Sequence, residues 1–357
     1  MANPGEGGIG VLRAIVVVGP EIREEQQSVI LLGKASSKFS PAATQLRQGT
    51  PLACVEVLGR SLVGRLIEEL RRSGVNPISV FADATVAPLH AGVDPSTNVP
   101  LCRMEDAWSG AAQELMAYKQ TGVEATLVVR VGAYVEFDLA DMLQFHREQG
   151  QVATRAFDNE GPLDMWIIDP ARIAASEDML PTLRAKLGRY WVRGYVNRLE
   201  HPKDLRRLVV DSLTSRCRLR PQGSETRPGV WMDEGTQVHR DARIVAPAYI
   251  GRSARIAAQC LITRCSNVES DCLVDYGTVV EDSSILLNSY VGIGLDISHS
   301  IVDGNNLLNL ERNVTLEIAD PCVIRQNRVP RKEKNRHSPV IFGLGGVQFA
   351  PAEEGSR

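Results

Sequence analysis

From Met232 onward the apolar positions fall on a period of six: Met232, Val238, Ile244, Ile250, Ile256, Ile262, Val268, Val274, Val280 and Leu286. Four residues after each stand Thr236, Ala242, Ala248, Ala254, Cys260, Ser266, Cys272, Thr278, Ser284 and Tyr290, of which only the last is large. An α-helix needs apolar residues every three or four positions and a half-buried strand every two, so neither accounts for six. A triangular coil does, with one aliphatic side chain inside each short wall and a small residue where the wall turns. The pattern predicts a left-handed parallel β-helix of a little over three coils. After Leu286 the register slips by one to Val291 and Ile297, and the alternation Val314, Leu316, Ile318 predicts an edge strand or cap. The end of the β-helix after Val291 stays open.

Upstream the pattern changes. LRAIVVVG (12–19) reads as a buried strand, SLVGRLIEELRRS (61–73) as an amphipathic helix, 77–82 as a strand, 105–120 as a helix and 125–131 as a strand. Strands alternating with helices predict a mainly parallel sheet covered on both faces. Ligands of such sheets bind beyond the carboxyl ends of the strands, which points to the loops after Gly19 and Val131. Trp166, flanked by aliphatic residues, reads as core rather than a stacking platform. Asp138 reads as the N-cap of the helix that follows it.

A chain of 357 residues suits two domains and a tail. With 43% hydrophobic residues and a net charge of -3 it reads as a globular protein with no global call for nucleic acid. The basic stretch RQNRVPRKEKNRH (325–337) reads as a solvated tail, and residues 1–10 and 350–357 as disordered. No apolar run approaches the roughly 20 residues of a membrane span and no leader opens the chain, so the expected location is the cytoplasm. Seven scattered cysteines without a Cys-x-x-Cys read as reduced thiols, with a structural zinc site as the alternative.

TPLACVEVLGRSL (50–62) resembles the "P-K-P-L-x-x-V-x-G-K-P-L" segment of sugar-nucleotide pyrophosphorylases. LVVRVGAYVEFDLADMLQFH (127–146) resembles that family's strand, G-D, acidic loop and helix ending in F-H. GYVNRLEHPKDL (194–205) is similar to its "G-Y-W-x-D-I-G-T-P-E-D-Y". The resemblance covers about residues 12–324. It implies a Rossmann-like nucleotidyltransferase domain over 12–210, the β-helix over 226–324, and a basic segment and tail over 325–357.

By resemblance, the chemistry is attack of a sugar 1-phosphate on a nucleoside triphosphate. The family supplies a glycine-rich phosphate loop, a lysine, and carboxylates for Mg²⁺. Here the first strand runs into GPEIREE (19–25), where Pro20 has no N–H and three carboxylates repel a triphosphate. GKASSK (33–38) lacks glycine spacing and reads as an exposed loop. Thr50 stands where the family has its lysine, Ala133 replaces the metal aspartate, and Asn197 occupies the second metal position, where an amide oxygen still serves as a ligand. Glu136 and Asp138 are the nearest acids. The matched substrate-binding positions are Gly19, Gly132, Glu136 and Asn197, and no catalytic residue is assigned.

The expected function is a catalytically degenerate pyrophosphorylase-like protein that binds a nucleotide or sugar nucleotide and regulates or scaffolds. One alternative is an active, Mg²⁺-using nucleotidyltransferase with Glu136 or Asn197 as substitute ligands. Another is an acyltransferase with His239 or His299 as general base, both of which otherwise read as surface residues. A homo-oligomer or a partner subunit is expected from flat walls and open coil edges.

Overall fold

A computed structural model describes residues 12–19, 52–83, 101–105, 107–173 and 187–327. The expectations for residues 1–10, 20–25 and 33–38, for Thr50 and for the chain beyond residue 327 lie outside the described residues. In the N-terminal part, β1 (Leu12–Val18), β4 (Ile78–Asp83), β5 (Leu101–Met104), β6 (Ala125–Arg130), β8 (Ala153–Asp158), β9 (Gly161–Ile168) and β10 (Leu187–Trp191) form one sheet in the order β10-β8-β9-β6-β1-β4-β5. Its pairings are parallel except where β9 runs antiparallel to both β6 and β8. Two small antiparallel ladders accompany it, the hairpin of β2 (Glu56–Val57) with β3 (Arg60–Ser61), and the long-range pair of β7 (Tyr134–Val135) with β11 (Val196–Asn197).

β1 is apolar throughout because both of its faces are covered. Ala14, Val16 and Val18 join one cluster with Leu62, Val63, Ile67 and Leu70 of α1 (Leu62–Arg72), while Ile15 and Val17 join another with Trp108, Ala111 and Leu115 of α2 (Ala107–Gln120). Two further helices among the described residues, α3 (Leu139–Gln149) and α4 (Pro202–Leu213), belong to this part. The Asp138 carboxylate accepts from the amides of Ala140 and Asp141 and so caps α3. Trp166 is buried, edge-on to Trp108 and beneath the Arg155 guanidinium.

From Val230 the strands pair in parallel with the strand one turn later, and three walls recur in rotation. Trp231 pairs with Tyr249 and Tyr249 with Asn267; Gln237 pairs with Arg255 and Arg255 with Leu273; Arg243 pairs with Leu261 and Leu261 with Val279. These parallel-strand sheets have the arrangement of a β-helix. Ile244, Ile250, Ile256, Ile262, Val268, Val274 and Val280 fill the interior. The small position is more than filler: Cys260, Ser266, Cys272 and Thr278 donate to the carbonyls of Asp275, Val280, Leu286 and Gly292 in the next coil.

The interior series ends one step earlier than the sequence period predicts. Val268 pairs with Ile285, so one coil is a residue short, and Ile285 rather than Leu286 enters the interior. Leu286 instead joins the cluster shared with the N-terminal sheet. The outward row Tyr249, Asn267, Ser284 and Ile301 is also buried, because this wall packs against the N-terminal part within one compact unit. At the far end Asn306–Asn309, Val314–Glu317 and Ile324–Gln326 pair antiparallel and close the stack, with Val314 and Leu316 exposed on the last strand of its wall. No described helix is long and apolar enough to cross a membrane.

The docking of the coils onto the β2–β3 hairpin is polar. Glu269 is fully buried, and its carboxylate accepts from the successive amides of Leu58 (2.8 Å) and Gly59 (2.9 Å) and from the Asn267 side chain (2.6 Å). Glu56 accepts from the amide and the hydroxyl of Ser270. Gly59 has φ +87°, and a Cβ there would lie 2.3 Å from the Tyr249 hydroxyl, so the hairpin tip fits the coil only as glycine. A second tie is Arg206 of α4, which donates to the Cys265 carbonyl and pairs with Asp282 at 2.9 Å.

Candidate functional site

A cavity of about 410 Å³ opens at the carboxyl end of β6. Strand β6 delivers Val129 and Arg130 into its wall, and the chain then turns through Val131, Gly132 and Ala133 into β7. The remaining walls come from α1 (Leu62, Arg65, Leu66), β9 (Leu163, Asp164, Met165) and the segment that leads from α4 to the coils (Arg218, Leu219, Arg220, Gln222). Its volume suits a small-molecule ligand, and its lining mixes aliphatic side chains with six arginines and six acidic residues, a more charged wall than most such sites have.

Asp164 is the centre of the charged floor. Its carboxylate accepts from Arg130 Nε at 2.6 Å and pairs with Arg155 at 3.1 Å, while Arg155 also donates to the Leu163 carbonyl. Burial pushes the Asp164 carboxyl up, but the two arginines outweigh it and hold it below the usual carboxylate range. The Arg130 guanidinium lies beneath Gly132, where a Cβ would be 3.1 Å from it.

Glu136 lines the cavity but is already engaged. One oxygen accepts from the Tyr134 hydroxyl (2.9 Å) and from the Arg218 amide, and the other faces the Arg218 guanidinium at 3.8 Å. Burial and this carboxylate push the Tyr134 phenol up, so it stays a donor. The Glu136 amide donates to the Tyr195 carbonyl, and Gly194 packs against the Glu136 carbonyl so closely that a Cβ there would lie 1.8 Å from it. Gly194→Ala should therefore displace the β7–β11 pair and one cavity wall, with an expected loss of at least about 2 kcal/mol in urea unfolding and faster amide exchange at 134–136. Parent-like exchange there would show that the wall gives way without cost.

Of the other positions singled out by sequence, Gly132 and Ala133 line the cavity, and Gly19 and Asn197 do not. Val17 pairs with Arg130, so Gly19 leaves the sheet beside Gly132, at the neighbouring strand end. Asn197 is buried and structural in its contacts: its amide nitrogen donates to the Asp204 carbonyl and its oxygen accepts from the Leu199 amide. With a methyl group at Ala133, both Asn197 amide atoms committed and Glu136 engaged, these positions do not fit a Mg²⁺ ion. No three His, Cys, Asp or Glu side chains among the described residues are grouped to hold a metal. No protein-family model matches the chain, and no curated protein matches it.

The two histidines lie on the coils, away from the cavity lining. His239 is exposed, its Nδ1 accepting from the Asp241 amide. His299 sits with Nδ1 2.7 Å from Asp282, the carboxylate that also holds Arg206, and with Nε2 3.6 Å from Glu311. It belongs to the tie between the coils and α4. Residues that sequence reading passed over are Arg65, Asp164 and the linker arginines. Nothing in local sequence marks an arginine on a helix face or in a loop as a cavity wall.

Proposed function

We propose that this protein is a sugar-nucleotide pyrophosphorylase-like binding protein, with a Rossmann-like nucleotidyltransferase domain and a left-handed β-helix, that has lost turnover and acts as a regulatory or scaffolding subunit in sugar-nucleotide metabolism. The observation that carries the reading is the cavity at the end of β6, which retains the glycine turn at Gly132 while Ala133 offers no carboxylate and Glu136 is held by Tyr134 and Arg218. A ligand held there would set its phosphates against a wall in which neither Ala133 nor the engaged Glu136 is placed to hold a metal. Phosphoryl transfer of this kind depends on a metal ion set against the reacting phosphate as well as on cationic side chains, and the matched positions are not placed to hold one.

The test is pyrophosphate release by the purified full chain, across nucleoside triphosphates and sugar 1-phosphates with Mg²⁺ and then Mn²⁺, alongside equilibrium binding of sugar nucleotides. Binding without release is the expected result. Sustained release by the parent would overturn the reading, and release unchanged in Glu136→Ala and Asn197→Ala would further exclude those two as substitute ligands.

A further inference from the structure

Six arginines line the cavity, and they are not equivalent. Arg72 pairs with Glu68 and Glu69, Arg130 with Asp164, Arg198 with Asp158, and Arg218 with Glu136. Arg65 and Arg220 have only neutral acceptors among the described residues. Arg65 donates through Nη1 to the Arg220 carbonyl (2.8 Å) and through Nη2 to the Val57 and Leu58 carbonyls (2.9 Å each), and its Nε has no partner. Arg220 donates to the Ser215 hydroxyl. The hydrogen bond from Arg65 to the Arg220 carbonyl makes the two residues neighbours in the cavity wall. Around Arg198 the balance is reversed, since Asp158, Glu160 and Glu200 all act on that single guanidinium.

We propose that the stretch of cavity wall formed by Arg65 and Arg220 is an anion subsite that holds the diphosphate of the bound ligand, with its hydroxyl-bearing part toward Glu160 and Glu200. The proposal rests on the sugar-nucleotide reading above and names the group that anchors it. A guanidinium presents a planar fork suited to phosphate oxygens, and its charge acts strongly beside the apolar walls of Leu62, Leu66 and Leu219. Glu269 acts on Arg65 only through space, and among the described residues no carboxylate is hydrogen-bonded to either guanidinium; a phosphate supplies that direct partner. The anchor differs in place from a phosphate loop after the first strand, where Pro20 and its acidic neighbours offer little. Arg65 grips the hairpin carbonyls and Arg220 belongs to the segment entering the coils, so a ligand held by both bridges the N-terminal sheet and the coils.

The experiment is calorimetric titration of the full chain with inorganic pyrophosphate and, separately, with a panel of sugar nucleotides, in the parent, Arg220→Ala, Arg220→Lys and Arg216→Ala. Arg216 is an exposed control on the same segment, paired with Asp211 and outside the cavity lining. Arg220→Ala is expected to weaken both ligands by about tenfold or more, Arg220→Lys to recover part of the loss, and Arg216→Ala to change neither. Melting curves matched to the parent certify folding, since Arg220 is exposed. If both ligands bind Arg220→Ala as tightly as the parent, the subsite is wrong while the sugar-nucleotide reading survives. If pyrophosphate binds through Arg220 and no sugar nucleotide binds, the subsite stands and that reading fails. Binding of neither ligand to the folded parent overturns both.

Discussion

Asp164→Ala is expected to lower the free energy of unfolding by about 3–5 kcal/mol, among the largest effects of any single substitution in the N-terminal sheet. The reason is what it leaves behind. Arg130 and Arg155 have side-chain exposures of 8% and 2%, and Asp164 is the carboxylate that pairs with both. Removing a partner from a buried ion pair strands charge that water cannot reach, which costs more than the pair itself contributes. The same group gives an acid dependence. Its pKa is depressed in the folded state, so its stabilisation is present above the unfolded carboxylate value near 4 and is lost as pH falls through and below it. Guanidinium unfolding at pH 7 and at pH 3 checks both points: the gap between parent and Asp164→Ala should narrow in acid. A variant within about 0.5 kcal/mol of the parent at pH 7 would mean that the arginines find other partners.

The second large effect lies where the coils meet the β2–β3 hairpin. Glu269→Ala removes the common acceptor of Leu58 N–H, Gly59 N–H and the Asn267 amide in a fully buried place, and each stranded donor costs about 1–3 kcal/mol. A loss of at least about 3 kcal/mol is expected, with amide exchange at Leu58 and Gly59 accelerated more than exchange in β1. Glu269→Gln should not rescue it, because all three partners are donors and an amide brings two more.

Burial pushes the Glu269 carboxyl up to about 8, with repulsion from Glu56 adding to the rise and the donors opposing it. A pKa raised from its unfolded value of 4.5 stabilises below that value, and the contribution is lost as pH rises through about 8. The parent's hairpin should therefore exchange more readily at pH 9 than at pH 6, after correction for intrinsic exchange. In Glu269→Ala that difference should be absent; an equal difference in both chains would assign it to another group.

The period-six pattern from Met232 to Val280 was legible because a stacked coil imposes it locally: each wall must place one aliphatic residue inward, whatever surrounds the stack. The strands and helices of the N-terminal part were legible for a similar reason, since a continuous apolar run over 12–18 and the spacing Leu62, Val63, Ile67, Leu70 already encode which faces are covered. The cap at Asp138 is a contact over two and three residues and was readable from the same short window. These features depend on neighbours in the chain.

The tertiary structure alone decided the rest. The sequence period carried the interior through Leu286, but a coil shortened by one residue turns Leu286 outward to the N-terminal sheet and brings Ile285 inside. Asn267 and Glu269 look like solvent-facing coil residues by their hexad positions, yet both are buried, because their wall is covered by the N-terminal part, with Glu269 bonded to a hairpin about 200 positions away. The glycines of the matched segments were legible as glycines, but only the contacts of Gly59 with Tyr249 and of Gly194 with Glu136 show what each must avoid. Likewise the sequence located Gly132, Ala133 and Glu136 near one another, while the engagement of Glu136 and the meeting of Arg65 with the Arg220 carbonyl arise from segments that come together only after folding. Periodicity reports which side of an element is apolar, and the charge balance of a cavity depends on which distant side chains complete it.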